Sequence, residues 1–218
     1  MINVGIIQYP GSNCDSETFR YFNITGFDTK CFYIWHKEEN LSLLDGLDLL
    51  VLPGGFAFGD RIYNKATENY IISPGTMAID SPVSTIIKEA HKKNIVILGI
   101  CNGFQILTQM GLLPGKLLLN ESAKFYSEKV TCNIEYKNIY KDISKVTQLY
   151  IANSYGKYVN YNKLMSDEQY FLKYQDGRVA GVCKNTVFGM MPHPERNNFD
   201  FKQTLFEILF GSDKNQLY

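Results

Sequence analysis

Six consecutive residues, Ile95-Val96-Ile97-Leu98-Gly99-Ile100, carry no polar side chain, and the turn Cys101-Asn102-Gly103 follows them directly. Beyond the turn, Phe104, Leu107 and Met110 recur at helical spacing until Gly111 and Pro114 end the pattern. A strand that is apolar on both sides has to be covered on both faces, which is the situation inside a parallel sheet. Other runs repeat the theme: Val4 to Ile7, Lys30 to Trp35 and Leu49 to Leu52 read as strands. Helical patterns fall between them, around Asp15 to Phe22 and at Val83, Ile86, Ile87 and Ala90. The alternation predicts an α/β fold, a mostly parallel central sheet flanked by helices on both faces. From Lys116 to Gly189 the runs are mostly strand-like, with a hairpin signal at Gln175-Asp176-Gly177. Phe201, Leu205, Ile208 and Leu209 share one stripe of a last helix. No repeat or linker interrupts the 218 residues, so residues 1–218 are expected to form a single domain.

Charge and cysteine usage narrow the function. Lys plus Arg balances Asp plus Glu at 22 each, which argues against a nucleic-acid partner, since that affinity rests on phosphate neutralisation. The first apolar run is short and has no basic leader, and no run reaches membrane-spanning length. A cytoplasmic protein with no membrane role is expected. The five cysteines are scattered without a CxxC pair, and the three histidines are equally dispersed. Free thiols in a reducing compartment fit this better than a disulfide framework, and no metal site is expected.

The turn Gly99-Ile100-Cys101-Asn102-Gly103 has the context of a nucleophile elbow, a cysteine between a buried strand and a helix. Glycines flank it where a Cβ would collide, and the helix N-terminus favours thiolate over thiol. Asn102 can offer its backbone N–H to an oxyanion, and Gln105, one helical turn on, can reach the same pocket to bind substrate. Alone, the pattern also fits a buried structural cysteine; it needs a base. Pro192-His193-Pro194-Glu195 supplies one, because each proline pushes its predecessor to extended geometry and residues two apart then share a face. His193 would take the thiol proton and Glu195 would orient it. His36, among charges, and His91, on a lysine-rich helix end, read as solvated. The loop Pro53-Gly54-Gly55-Phe56 follows a strand, and its paired glycines let backbone N–H groups turn towards a ligand. Gly55 would complete the oxyanion hole with Asn102, and Gly54 and Phe56 would contact substrate. An ordinary glycine-rich turn explains that loop equally well by itself.

Together these residues resemble the class I, or triad, glutamine amidotransferases, whose sheet is flavodoxin-like. More narrowly they are similar to the family of glutaminase subunits (PurQ) of phosphoribosylformylglycinamidine synthase. The match runs through Pro10-Gly11-Ser12-Asn13-Cys14-Asp15, Pro53-Gly54-Gly55-Phe56 with Gly59-Asp60, the block from Gly99 to Leu107, Gly111-Leu112-Leu113-Pro114-Gly115, and Met190 to Arg196. The resemblance implies that Cys101 attacks the glutamine amide, that His193 moves the proton and that a glutamyl thioester is hydrolysed. It implies that ammonia passes to a large synthetase subunit, accompanied by a small third subunit, for conversion of formylglycinamide ribonucleotide to the amidine. No cofactor is implied in this chain; ATP and Mg²⁺ belong to the synthetase. Two segments depart from the family: an apparent insertion between Arg61 and Gly75, and Ala152-Asn153-Ser154-Tyr155-Gly156 where Ala-His-Gly-Glu-Gly is common. The competing expectations are a freestanding γ-glutamyl hydrolase or cysteine peptidase on the same scaffold, and a regulatory subunit without catalysis.

Overall fold

The computed structural model describes residues 1–23, 28–60, 73–139, 141–162, 167–196 and 199–211. Most of the expected insertion at 61–75 lies outside the described residues. Eleven strands are described: β1 (Ile2–Gln8), β2 (Thr29–Trp35), β3 (Leu49–Leu52), β4 (Val96–Ile100), β5 (Lys116–Leu118), β6 (Tyr126–Lys137), β7 (Asp142–Asn153), β8 (Lys157–Val159), β9 (Glu168–Tyr174), β10 (Val179–Lys184) and β11 (Val187–Met190). The α-helices among the described residues are α1 (Asp15–Asn23), α2 (Ser84–Lys92), α3 (Asn102–Gln109) and α4 (Phe199–Phe210).

Nine strands form one sheet in the order β2-β1-β3-β4-β11-β10-β9-β6-β7. The five strands from β2 to β11 run parallel, and the rest of the sheet is antiparallel. The parallel expectation therefore describes β1 to β4 and β11, and the whole sheet is mixed. The reason is covalent: parallel pairs need crossover helices, whereas β9 to β10 and β10 to β11 connect through turns too short for one. The Gln175-Asp176-Gly177 turn does join β9 to β10, with Gly177 at φ +86°.

Sequence order reverses between β1 and β3. The β1–α1–β2 crossover steps one way and β3–α2–β4 the other, so right-handed crossovers put α1 and α2 on opposite faces. Phe206 of α4 meets Phe22 of α1 with ring centroids 5.9 Å apart, which joins α4 to the α1 layer. The central strands β3 and β4 are buried almost throughout, as their unbroken apolar runs require. Burying a side chain such as Ile97 or Leu98 contributes about 1.5–3 kcal/mol each, and this core fixes where the strand ends stand. At such a reversal the carboxyl ends of neighbouring strands open a crevice. The segments leaving β1, β3, β4 and β11 all start at that edge.

Candidate active site

Cys101 stands between β4 and α3 with φ +49° and ψ −102°, a backbone geometry that side chains other than glycine rarely adopt. Two glycines make the turn feasible. A Cβ on Gly99 would come within 2.7 Å of the Gly103 backbone, and one on Gly103 would run into the backbone of Leu52 on β3. The elbow is pinned on both sides: Cys101 N–H donates to the Met190 carbonyl at 2.8 Å, and Gln105 N–H donates to the Cys101 carbonyl at 3.1 Å. Its side chain is almost buried, and Sγ lies 3.7 Å from the Ala152 carbonyl oxygen.

The imidazole arrives from β11. His193 N–H donates to the Tyr150 carbonyl at 2.7 Å, an isolated antiparallel bridge that anchors the Pro-His-Pro segment to β7. Nδ1 of His193 and Oε1 of Glu195 are 2.6 Å apart, and both side chains are sealed from solvent. Spacing of two in an extended segment thus becomes direct contact. Gly54 shows how closely this pair approaches the elbow: a Cβ there would sit 2.7 Å from His193 Cε1 and 3.5 Å from Cys101 Cβ. Burial alone would lower the His193 pKa, but the Glu195 carboxylate and then the sulfurs of Cys101 and Cys14 outweigh it and hold it well above 6.5. With Nδ1 facing Glu195, Nε2 makes no hydrogen bond within the protein. It is the nitrogen left to exchange a proton.

Gly55, Phe56, Cys101 and His193 line one cavity of about 240 Å³ together with Asn13, Cys14 and Arg196. Gly55 has φ +130°, and a Cβ there would meet the backbone of Ser12 and Asn13. The two loops are bonded to each other: Phe56 N–H donates to the Gly11 carbonyl at 3.0 Å and Phe58 N–H to the Pro10 carbonyl at 2.6 Å. A larger cavity of about 590 Å³ includes Tyr126, Glu128, Ile151 and Asn153. The two cavities share no lining residue. The larger one contains none of the elbow, and chemistry rather than size selects the smaller space.

Other expectations are redirected by the structure. Gln105 is buried and committed to the scaffold, its Oε1 accepting from Asn102 at 2.9 Å and its Nε2 donating to the Tyr155 carbonyl at 2.8 Å. The Asn102 side chain ties the glycine-rich loop to α3: it accepts from Ala57 N–H at 3.0 Å and donates to Asp60 Oδ2 at 2.6 Å. Asp60 also accepts from Gly75 N–H at 2.9 Å. Burial raises its pKa, and the bonds from Asn102 and Gly75 oppose that rise. Its positioning role was missed; the only sequence signal was its place in Gly59-Asp60. His36 is not solvated. It is buried, and its ring stacks on Phe58 at 5.3 Å with a 5° interplanar angle, because the 53–60 loop folds over it. Burial, then Lys37, lowers its pKa. His91 is half-buried. The unusual 152–156 segment reaches the site through its backbone, with the Ala152 carbonyl beside Cys101 and the Tyr155 carbonyl on Gln105.

An elbow cysteine and a buried His–Glu pair stand at the strand ends of this mixed sheet, and the comparisons give the class, the glutamine amidotransferases. Residues 1–208 match the CobB/CobQ-like glutamine amidotransferase domain. The phosphoribosylformylglycinamidine synthase subunit PurQ of Thermotoga maritima is 34% identical over 98% of this chain and 93% of its own length. PurQ of Alkaliphilus metalliredigens is 35% identical over 97% and 98%. The solved structure of PurLQS from Thermotoga maritima superposes with a TM-score of 0.79 at 32% identity, covering 95% of this chain and 97% of that one. The chain belongs to the PurQ family of glutamine amidotransferases. Among the described residues no helix is long and apolar enough to cross a membrane.

Proposed function

We propose that Cys101, His193 and Glu195 are the catalytic triad of a glutaminase subunit that feeds ammonia to a phosphoribosylformylglycinamidine synthetase. The observation that carries this reading is the buried His193–Glu195 pair at 2.6 Å, packed against the Cys101 elbow across Gly54. His193 Nε2 takes the Cys101 thiol proton ahead of attack, as its raised pKa favours, and the sulfur adds to the side-chain amide carbon of glutamine. Backbone N–H groups of Gly55 and Asn102 receive the oxyanion, a type of contact whose loss typically costs about 10²–10³ in rate. Collapse of the tetrahedral species breaks the C–N bond. His193 gives its proton to the leaving ammonia, and a glutamyl thioester remains on Cys101. Water, deprotonated by His193, then releases glutamate. Glu195 fixes the ring orientation and stabilises the imidazolium.

The partners are a large synthetase subunit, which holds ATP and Mg²⁺, and a small third subunit, in the cytoplasm. There the ammonia converts formylglycinamide ribonucleotide to formylglycinamidine ribonucleotide in purine biosynthesis. This chain needs no cofactor for its own half-reaction. Incubating the protein with glutamine, with and without the synthetase, tests the reading, and partner-stimulated glutamate release is the expected result. Activity confined to γ-glutamyl peptides would replace it with a freestanding hydrolase. Silence under all conditions would leave a regulatory subunit.

A further inference from the structure

Cys14, in the loop leaving β1, enters the same cavity as Cys101. Its Sγ, a ring nitrogen of His193 and a carboxylate oxygen of Glu195 all lie within 4.8 Å of one another, and all three residues are buried. A further atom of this cluster, Glu195 Oε2, is buried without a hydrogen-bond partner. Buried polar atoms without partners are uncommon because they are costly, and each calls for a reason. A thiol, an imidazole and a carboxylate converging in a sealed space form a donor set suited to zinc.

We propose that Cys14, His193 and Glu195 form an inhibitory binding site for a thiophilic divalent cation, zinc by the character of its donors. On binding, the Cys14 thiol and His193 Nδ1 each release a proton to solvent, the hydrogen bond between Nδ1 and Glu195 Oε1 breaks, and the Cys14 sulfur bonds the metal. His193 contributes a nitrogen lone pair, Glu195 an oxygen, and water from the cavity completes the tetrahedron. No electron is transferred. Arg196 Nη2 donates to Cys14 Sγ at 3.4 Å, and its Nε lies 3.5 Å from Glu17, so the guanidinium keeps an acidic partner when the metal takes the sulfur. The Cys14 thiol also points at Asn13 Oδ1, a long contact of 3.6 Å that the metal replaces. A metal held here removes the imidazole from proton transfer, so glutamine hydrolysis stops. That consequence rests on His193 acting as the base; the binding itself does not.

Cobalt(II) titration of the full chain, reduced with a phosphine, tests the site by absorption. The expected result is one equivalent of bound cobalt with a thiolate-to-metal charge-transfer band, displaced by zinc. Cys14→Ser and Cys14→Ala should each weaken binding by about tenfold or more and remove the band. Cys101→Ala should retain the band. Zinc should inhibit the wild-type complex reversibly, with chelator restoring activity, and both Cys14 variants should need far more of it. Absence of the band in the wild-type protein overturns the proposal without reference to any variant. Unchanged affinity in both Cys14 variants, or loss of the band in Cys101→Ala, overturns it too by moving the metal to Cys101. A chain that binds cobalt as described yet releases no glutamate would refute the glutaminase reading alone.

Discussion

Residue 193 holds two properties in tension, an imidazole sealed from water and a raised pKa. Burial opposes the charge, and the Glu195 carboxylate at 2.6 Å overrides it. Glu195→Gln removes that anion, so the His193 pKa should fall below its wild-type value, read from the ring proton shifts by NMR. The same variant should lose glutaminase turnover by more than it loses glutamine affinity, because Glu195 acts on the imidazolium formed during reaction. The stability consequence follows by linkage. A folded-state pKa above 6.5 contributes stability that is complete below the unfolded value and is lost as pH rises through the folded one. Melting curves of Glu195→Gln and wild type should therefore differ most at acidic to neutral pH and converge above the folded value. Cys101→Ala should abolish glutamine-dependent amidation in the assembled complex and leave ammonia-dependent synthesis intact. Surviving glutamine use would remove Cys101 from the mechanism.

The strand-to-helix corner between β4 and α3 shows how an element sets a side chain's reach. The unusual φ of Cys101 persists because Gly99 and Gly103 let the helix start flush against β3 and β4. Gly103→Ala forces a methyl group onto the Leu52 backbone, which no side-chain rotation relieves. A destabilisation of about 1–3 kcal/mol is expected from such overpacking, measured as a lowered denaturation midpoint with an unchanged slope. Activity should fall further than stability, since the same shift moves Cys101. This corner was readable from the sequence because its signals are local: an apolar strand, two glycines, a helix period. The roles of Asn102 and Gln105 were not readable, because a side-chain amide bonds whatever packs nearby. Here the neighbours are Ala57, Asp60 and Tyr155, between 42 and 50 residues away. His36 was misread for a related cause; its sequence neighbours are charged, but the ring that covers it is Phe58.

Across the whole molecule, the parallel half of the sheet supplies the elbow and the loops, and the antiparallel half braces the histidine through Tyr150. The candidate site is thus built on one continuous sheet. The synthetase should stimulate glutamate release by raising turnover, observed as a change in kcat larger than the change in KM. Equal kinetics with and without the partner would separate this chain from a coupled ammonia supply.

The strands and helices up to Met110, the tight turn at Cys101 and the shared face of His193 and Glu195 were determined by the sequence alone. Each rests on periodicity or on spacing within a few residues, which the backbone converts directly into geometry. The antiparallel extension, the double anchoring of Asn102 and the cluster of Cys14 with His193 and Glu195 were decided only by the tertiary structure. Contacts between residues so far apart along the chain depend on where the sheet order carries each loop, and no local pattern encodes that placement.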